Sequence, residues 1–222
     1  MSVKLRLKYA KTGKAKYISH LDLSETMHRA LLRAEIPLKY SEGFNPHPYI
    51  SVALPLKVGD ESVCELLDFA VIKGYAPSED FAKKLCRALP EGIEIFGIYP
   101  AARKFSQIAW IEIQGNMYYE HTVPRIEDEI IERFSSEEIL ILKKTKSGIS
   151  ELNIAPFLKD IIFSHEKNGK KMSVSAKVSA QNPSISPDNI ISALDGRYRH
   201  LMPRHYSFFR TELMDADFLP FK

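Results

Sequence analysis

The chain has 222 residues, of which 45% are hydrophobic and 27% are charged. These values are ordinary for a globular protein and exclude a largely disordered chain. The length lies between one large domain and two small ones, and each half is long enough to bury its own core. The chain has two cysteines at a wide spacing, which excludes a secreted domain stapled by disulfides. Because no signal peptide or membrane-spanning segment is recognisable, we expect a cytoplasmic protein with no membrane partner.

The formal net charge of +3 is unevenly distributed. Residues 1–50 contain nine Lys or Arg residues against four acidic residues, and a second basic cluster lies between Asp195 and Glu212, where no acidic residue occurs. Local positive fields of this kind suit a phosphate-rich partner. The second basic cluster consists of Arg197, Arg199, Arg204 and Arg210 with His200 and His205.

The first elements have clear local signals. Residues 3–10 alternate apolar and basic side chains, which predicts a half-buried strand with a basic outer face. A turn over residues 11–16 adds three more lysines. A helix should follow, with Ser19 as its N-cap, Asp22 bonding back to the cap, and Pro37 ending it. The predicted apolar stripe of this helix is Leu23, Met27, Ala30, Leu31 and Ala34.

The rest of the first half continues the pattern. Residues 49–54 and 63–72 are predicted strands, a helix opens at Ser78 and ends before Gly92, and residues 93–99 form another strand. The order is β-α-β-β-α-β. This order predicts a ferredoxin-like (split βαβ) unit, in which two helices cover one face of an antiparallel sheet and the other face stays available.

From residue 107 the same order of strands and helices begins again, with weaker sequence signals for the individual elements. Helices are predicted at 124–134 and from Pro187 to Gly196, and Pro156 makes the 152–162 region ambiguous. The predicted strands are 108–113, 139–144, 171–178 and 206–213. We therefore predict an α+β fold of two tandem ferredoxin-like units with antiparallel sheets. Residues 1–102 form the N-terminal domain, which carries the motifs, and residues 103–222 form the C-terminal domain.

Two stretches carry more polar groups than folding requires. In Tyr17-Ile-Ser-His-Leu-Asp22, capping accounts for the serine and the aspartate but leaves His20 without a role. In the second stretch, residues 40–48, a glycine and two X-Pro steps predict an extended, stiff loop that presents Phe44, Asn45 and His47. We expect a site between the start of the first helix and this loop.

His20 and His47 are the candidate catalytic residues. A histidine at a helix start suits a general base or an acceptor for a ribose hydroxyl. In that case Asp22 would orient it in a metal-independent acid–base reaction on RNA. The alternative is that His20 only packs over Tyr17 and bonds a backbone carbonyl.

Neither a metal nor a cofactor is expected. His20 and His28 are about two helical turns apart, roughly 12 Å of rise, which does not suit shared metal ligation. Cys64 and Cys86 lie in apolar contexts typical of core cysteines, and neither is beside a histidine. The sequence contains no phosphate-binding glycine motif of the Walker or dinucleotide type.

Aromatic and basic residues interleave in the first fifty positions. This mixture is typical of proteins that bind single-stranded RNA by stacking and backbone charge, although aromatic residues in strands are usually core. Tyr49 and Lys39 belong to the mixture. The candidate binding residues are Lys8, Lys14, Lys16, Tyr17, Arg29, Arg33, Tyr40, Phe44, Asn45 and Arg210.

Several of these segments together resemble a known family. They are Arg6-Leu-Lys-Tyr-Ala-Lys-Thr-Gly13, Tyr17-Ile-Ser-His-Leu-Asp-Leu23, Arg29-Ala-Leu-Leu-Arg-Ala34 and the run from Pro37 to Leu56 that contains Gly-Phe-Asn-Pro-His-Pro. The chain resembles the radical-SAM-linked protein family, a bacterial domain of unknown function that is fused to or encoded beside B12-binding radical SAM proteins. The match is dense over residues 4–72, and Arg210-Thr-Glu-Leu213 resembles the closing motif.

The resemblance implies association with a B12-binding radical SAM protein in RNA or ribosome-related modification, without an established activity. Two cysteines cannot supply the three thiolates that a radical SAM cluster takes from its protein, so the chain is expected to be the linked partner rather than the radical enzyme. The Ser-His-Leu-Asp and Gly-Phe-Asn-Pro-His-Pro segments also resemble those of CRISPR repeat-associated RNA-processing proteins, a likeness at the level of fold.

Three functions therefore stay open. The first is a non-catalytic accessory module that binds tRNA or rRNA for a radical SAM system. The second is an acid–base RNA-processing enzyme that uses His20 and His47. The third is an adaptor whose loop docks the radical SAM partner. The sequence favours the first and does not rank the third far behind it.

Overall fold

A computed structural model describes most of the chain, in five ranges: residues 2–75, 79–121, 125–145, 148–166 and 170–222. The predicted helix start at Ser78 and the predicted helical residue Pro124 lie outside these ranges. The described part is a mixed α+β structure of mostly antiparallel strands with few helices. None of these helices has the length and apolarity needed to span a bilayer.

The chain divides into two compact units, Met1–Gln107 with Lys222, and Ile108–Phe221. The sequence places the division slightly earlier, between residues 102 and 103.

In the first unit, the described elements follow the order β-α-β-β-α-β. Their bounds are β1 Ser2–Lys11, α1 His20–Arg33, β2 Ile50–Val52, β3 Glu61–Ile72, α2 Glu79–Ala88 and β4 Ile93–Pro100. A 3-10 turn, Gly13–Tyr17, joins β1 to α1. β2 is shorter than the predicted 49–54 strand, because only three of its residues pair with β3.

The sheet of the first unit is antiparallel throughout. β1 pairs with both β3 and β4, so that Leu7 faces Leu67 on one side and Ile98 on the other. β2 pairs with β3. The predicted apolar stripe of α1 is confirmed, since all five of its residues are buried. They pack with Leu5, Leu7 and Tyr9 of β1 and Leu67, Phe69 and Val71 of β3.

The outer face of β1 differs from the prediction at Arg6. This side chain is completely buried, because Asp68 on β3 lies directly opposite it and binds its guanidinium. The ring of Phe105 lies 4.5 Å from the guanidinium carbon, and the carbonyl of Arg103 accepts a further hydrogen bond at 2.6 Å. The face is basic, as predicted, but the prediction that it stays available is wrong at Arg6. Strand alternation reports which face a residue occupies and not what covers that face.

The second unit has six main elements and a separate hairpin among its described residues. Their bounds are β5 Trp110–Tyr118, α3 Ile126–Phe134, β6 Leu140–Thr145, β7 Gly148–Asn153, β8 Leu158–His165, β9 Lys171–Ser179, α4 Pro187–Ser192 and β10 His205–Met214. β6 and β7 pair only with each other in this unit, and the other four strands form an antiparallel sheet in the order β10-β5-β9-β8. The ambiguous 152–162 region contains the end of β7, a 3-10 turn and the start of β8.

The last helix ends earlier than predicted. Asn189 accepts a hydrogen bond from the amide of Ser186, and Pro187 is the first helical residue, as the sequence indicates. α4 nevertheless stops at Ser192, and the amides of Leu194 and Asp195 bond three residues back, which tightens the chain into a 3-10 geometry. Gly196, with a φ of +67°, begins a second 3-10 turn rather than closing the helix.

Candidate functional site

The start of α1 is capped as predicted. The Ser19 hydroxyl oxygen accepts from the amide of Asp22 at 3.2 Å, and the hydroxyl donates to the Asp22 carboxylate at 2.7 Å. The carboxylate thus bonds the hydroxyl of the cap rather than its amide. His20 is exposed, and its imidazole makes no hydrogen bond or ion pair with any described residue. Helix capping therefore gives Ser19 and Asp22 a structural role, but it gives none to His20.

The 3-10 turn Gly13–Tyr17, which we call the basic turn, is held at several points. The carbonyl of Lys16 accepts from the amide of Gly59 at 2.9 Å and from the ammonium of Lys11 at 3.1 Å. The amide of Gly13 donates to Glu61 at 2.7 Å. These bonds come from separate strands and turns. The basic turn is consequently a fixed surface and not a free loop.

The buried Lys11 anchors the basic turn by a hydrogen bond to its backbone. Its side chain is 1% exposed, and its ammonium donates to the carbonyl of Lys16 from the protein interior. Burial lowers the pKa of Lys11, while the nearby charges of Glu65 and Asp60 act in the opposite direction. A buried ammonium that donates to a backbone carbonyl is a structural group, so Lys11 is not available to an external ligand.

The basic turn presents a cation beside an aromatic ring. Tyr17 is 68% exposed, and the Lys16 ammonium lies 5.5 Å from the centre of its ring. Lys14, also in the turn, is exposed. Two predicted binding residues, Lys16 and Tyr17, are therefore adjacent on one rigid surface.

Residues 40–48, which we call the motif loop, close on themselves. Tyr40 and Pro48 form an antiparallel bridge. Inside it, the amide of Ser41 donates to the carbonyl of His47 at 2.8 Å, and the amide of His47 donates to the Ser41 hydroxyl at 2.9 Å. These bonds close the loop at its base, whereas the sequence predicts an extended loop.

The tip of the motif loop presents its side chains to solvent. Gly43 has a φ of +119°, a conformation that favours glycine. Phe44, Asn45 and His47 are all exposed, and Phe44 is completely so. The prediction that the loop presents these three side chains is confirmed. No described contact joins them to His20.

Tyr40 lies at the base of the motif loop. Its hydroxyl is 3.0 Å from Nε2 of His28 on α1, and the two rings meet edge to face at 6.0 Å. Nδ1 of His28 lies 3.7 Å from the carboxylate of Glu25. Tyr40 is thus an anchor between the loop and α1, and its half-buried ring is less accessible than that of Phe44.

A cleft of about 300 Å³, which we call the sheet cleft, opens beside the base of the motif loop. Tyr49 is 50% exposed in it, and the Lys39 ammonium lies 5.3 Å from the centre of its ring. Lys4 reaches the carboxylate of Asp68 at 3.2 Å. Sequence reasoning missed this grouping, because Lys4 and Lys39 are brought together only by strand pairing. The lining residues are Ser2, Lys4, Lys39, Tyr49, Ile50, Ser51, Asp68 and Ala70.

A second cleft, of about 480 Å³, lies between α1 and the end of α2. Arg33 donates to the carbonyl of Ala88 at 3.1 Å, and Arg29 bonds the carboxylate of Glu25 at 2.7 Å. The described lining is Ile18, Thr26, Arg29, Arg33, Ala88, Leu89 and Pro90, which includes neither candidate catalytic histidine. The structure therefore does not bring His20 and His47 into a common pocket beside the two arginines.

The remaining candidate residues lie elsewhere. Lys8 is half-buried on β1, and Arg210 is half-buried on β10 in the second unit. The second basic cluster is partly neutralised within its own unit, since His200 lies 2.7 Å from Glu129 and Arg204 pairs with Glu120. This pairing weakens the positive field that the sequence suggests there.

The two cysteines differ in their exposure to solvent, and no metal site occurs among the described residues. Cys64 is buried, but Cys86 is exposed, so the prediction that both are core cysteines is wrong for Cys86. Cys86 lies on the solvent-exposed side of α2, opposite the apolar residues that pack inward. Within the described ranges, no group of three His, Cys, Asp or Glu side chains could hold a metal ion.

The fold and these surfaces define a mixed α+β protein with exposed aromatic and basic groups in its first unit. Residues 4–187 match the model of a family described as uncharacterized protein conserved in bacteria (DUF2344), and the chain belongs to that family. The match carries no statement about radical SAM proteins, so that association stays a prediction. No curated protein sequence matches the chain.

Solved structures show a likeness of fold. A chain in the crystal structure of a Cbf5-Nop10-Gar1 complex is similar with a TM-score of 0.52 and 14% identity, over 94% of this chain and 48% of that chain. The protein thus spans about half the length of that chain, and at this identity the likeness concerns the fold alone.

Two further solved structures are much less similar. The encapsulated DyP-type peroxidase from Mycobacterium smegmatis has a TM-score of 0.23 and 11% identity, over 92% of this chain and 91% of that chain. Thermus thermophilus Cse3 bound to an RNA has a TM-score of 0.20 and 12% identity, over 92% of this chain and 98% of that chain. These TM-scores are too low to support a shared fold.

Proposed function

We propose that the protein is a non-catalytic RNA-binding module that serves a B12-binding radical SAM protein acting on tRNA or rRNA. One observation carries the proposal: the first unit presents two exposed tyrosines, each with a lysine ammonium near its ring. These pairs are Lys16 with Tyr17 and Lys39 with Tyr49. The second pair adjoins the motif loop, whose Phe44 is fully exposed.

Such pairs suit single-stranded RNA for a physical reason. A base can stack on the exposed ring, which contributes about 1–3 kcal/mol per base, while the lysine neutralises the adjoining phosphate. Isolated exposed apolar residues are common on protein surfaces. Here a lysine lies beside an exposed tyrosine twice, once on the hydrogen-bonded basic turn and once beside the motif loop. This repetition distinguishes the surface from one that carries isolated exposed apolar residues.

We also propose that each unit is ferredoxin-like, as the sequence predicts. In the first unit the order β1-α1-β2-β3-α2-β4 accompanies the strand order β4-β1-β3-β2. In the second unit, once the β6–β7 hairpin is set aside, the same element order accompanies β10-β5-β9-β8. Four-stranded sheets of this type carry many RNA-binding modules. An experimental structure with the two helices of a unit on opposite faces of its sheet would contradict this assignment.

The radical SAM partner and a cytoplasmic location are part of the same proposal. Their support is the resemblance over residues 4–72 and the presence of only two cysteines, too few for a radical SAM cluster. The protein would therefore supply RNA binding, while the partner supplies the chemistry.

Salt-titrated binding to total tRNA and rRNA fragments tests the proposal. We expect binding at low salt, with an affinity that falls as salt rises, because phosphate contacts release counterions. Lys16→Ala and Lys39→Ala should each reduce the salt slope by about 0.7, the value for one contact to a single strand. Lys83→Ala on α2 is the matched control and should leave the slope unchanged. An affinity indifferent to salt would overturn the proposal.

A second candidate function is an adaptor that docks the radical SAM partner through the motif loop. The fully exposed Phe44 on a closed loop favours it, because an exposed ring on a stiff support suits a protein pocket as well as a base. Co-purification with the partner after nuclease treatment and at high salt, lost in Phe44→Ala, would favour the adaptor over RNA binding.

A further inference from the structure

The outer face of the sheet in the second unit carries an ordered pattern of side chains. On β5, Ile113 and Met117 point into the core, whereas Gln114 and Asn116 lie on the other face. The strand register places the outer residues in rows that run across β10, β5, β9 and β8. A cleft of about 320 Å³ lies over two of these rows.

The first row of the cleft contains only hydroxyl and amide groups. Pairing across the strands aligns Ser207, Asn116, Ser173 and Ser164. The Ser173 hydroxyl donates to the Asn116 carbonyl oxygen at 3.2 Å. This bond uses one of the two lone pairs of the Asn116 amide oxygen, and the amide nitrogen can donate to a ligand.

The second row has polar groups in its middle and apolar groups at its ends. Phe209, Gln114, Ser175 and Ile162 align across the sheet. Ile162 is 62% exposed, and Phe209 is half-buried. The row therefore offers an aromatic surface beside an amide, with an exposed aliphatic group on the far side.

The absence of charge decides what this cleft can hold. Every described residue that lines it is neutral. A phosphate group would have to lose water there without a cation to compensate, which is costly. A neutral ring with donors and acceptors on its edge can exchange its hydrogen bonds with water for bonds to the amides and hydroxyls. Amide side chains make such paired bonds to base edges.

The neighbouring row supplies a stacking surface, and its lysine, Lys171, is already paired with Glu166 at 2.8 Å. His205, Tyr118 and Lys171 align across β10, β5 and β9, next to the hydroxyl row. The rings of Tyr118 and His205 stack at 5.8 Å with an angle of 24° between them. Rows on one face follow each other at about 6.6 Å along the strands, so Phe209 and Tyr118 are roughly 13 Å apart along the sheet. This spacing suits two bases of one extended strand.

We propose that the cleft over Gln114 and Asn116 binds a nucleoside of single-stranded RNA and reads the edge of its base. This inference rests on the proposed function and adds to it. Phosphates bind the first unit without regard to sequence, while the neutral cleft of the second unit gives a base preference. Phe209 stacks with the base, and the two amides bond its edge.

Free nucleosides test the site without phosphate. Adenosine, guanosine, cytidine and uridine are titrated into the full chain, and amide chemical shifts are followed by NMR. We expect shifts at Gln114, Asn116 and Ser175, an affinity that does not change with salt, and a preference for one or two of the bases. Glucose serves as the control sugar, and equal binding of glucose would overturn the assignment to a nucleoside.

Variants separate recognition from folding. Asn116→Asp keeps the size of the side chain but replaces the donor with an acceptor, and Gln114→Ala removes the second amide. Each should weaken nucleoside binding on the order of tenfold and reduce the base preference for RNA. Ser175→Ala, which removes a hydroxyl from the cleft, should also weaken nucleoside binding. Ser150→Ala, at an exposed serine of β7, is its matched control and should change neither quantity. The amide spectrum of each variant reports whether the fold is intact.

The outcomes distinguish this inference from the proposed function. If RNA binds with the expected salt dependence but nucleosides cause no shifts, and the Gln114 and Asn116 variants keep the base preference, the inference is overturned and the proposed function stands. If nucleosides bind but RNA does not, the proposed function is overturned, and the cleft is a site for free nucleosides rather than for RNA.

Discussion

Arg6 and Asp68 form a buried, two-bond ion pair between neighbouring strands of the first unit. Nε of Arg6 lies 2.7 Å from one carboxylate oxygen of Asp68, and Nη2 lies 3.0 Å from the other. Both side chains are at most 1% exposed. Asp68 also lines the sheet cleft, where the exposed Lys4 binds the same carboxylate at 3.2 Å.

Removal of this carboxylate should strongly destabilise the protein. Asp68→Ala leaves the Arg6 guanidinium buried without its counter-charge, and we expect the free energy of unfolding to fall by about 3–5 kcal/mol. Urea denaturation measures the change. Lys4→Ala is the control, since the exposed half of the network should contribute less than about 1 kcal/mol. Equal losses in the two variants would show that the buried pair has no special role.

Gly92 should be essential for the position of the basic turn. Its φ is +90°, and a Cβ added there would lie 2.3 Å from the backbone oxygen of Thr12. The amide of Thr12 in turn donates to the carbonyl of Gly92 at 2.8 Å. Gly92→Ala should therefore cost more than the roughly 1–3 kcal/mol of backbone strain alone, and should weaken RNA binding by displacing Lys16 and Tyr17.

Gly74→Ala is the matched control for this effect. Gly74 has a φ of +89°, but an added Cβ would meet nothing within 4 Å. It should show only the strain of the backbone and leave RNA affinity unchanged. If both variants lose the same stability in thermal unfolding and bind RNA equally well, the contact between Gly92 and Thr12 does not position the basic turn.

Phe44 and Tyr49 should contribute to RNA affinity by stacking rather than by charge. Replacing either by alanine should cost about 1–3 kcal/mol of binding free energy. The dependence of affinity on salt should stay the same, because no phosphate contact is removed. Fluorescence anisotropy at several salt concentrations measures both quantities. Phe96→Ala is the control, since Phe96 is also 50% exposed but lies on β4, outside the sheet cleft and the motif loop. An equal loss in Phe96→Ala would argue against a specific stacking surface.

Tyr119 should make stability fall at alkaline pH. Burial raises its pKa well above the ordinary value, and its hydroxyl donates to the carbonyl of Leu201 at 3.2 Å. The unfolded chain releases this proton near pH ~10 while the folded chain keeps it, so the free energy of unfolding decreases as the pH rises above that value.

Tyr119→Phe isolates this contribution. The variant should lose about 1 kcal/mol at neutral pH through the missing hydrogen bond, and its stability should fall less steeply above pH ~10. Burial also raises the pKa of Tyr75, so part of the alkaline dependence should persist. Urea denaturation between neutral and alkaline pH measures it. An unchanged slope in Tyr119→Phe would contradict the assignment.

His20 should not be needed for folding. Its imidazole has no described partner, so His20→Ala should change the free energy of unfolding by less than about 0.5 kcal/mol. The same variant decides between the accessory module and the acid–base enzyme. We expect no cleavage of tRNA or rRNA fragments by the purified protein. Cleavage that His20→Ala abolishes, with RNA affinity retained, would replace the non-catalytic proposal with the enzyme.

The local elements of the first unit were predictable because their signals are local. Alternation identified β1, and the 3.6-residue period identified the four buried residues of α1 and the buried Ala34 that follows it. The serine cap and the two X-Pro steps identified where α1 begins and which side chains the motif loop presents. These features depend on residues a few positions apart, so a single sequence contains them.

By itself, the sequence thus determined the order of the elements in the first unit, the cap of α1 and the exposed tip of the motif loop. Only the tertiary structure decided that Arg6 is buried, that Lys39 lies beside Tyr49 at the sheet cleft, and that the described lining of the cleft over Gln114 and Asn116 is neutral. The physical reason is strand register. Pairing brings together residues that are distant in the chain, and a shift of one position would place each of them on the opposite face of the sheet.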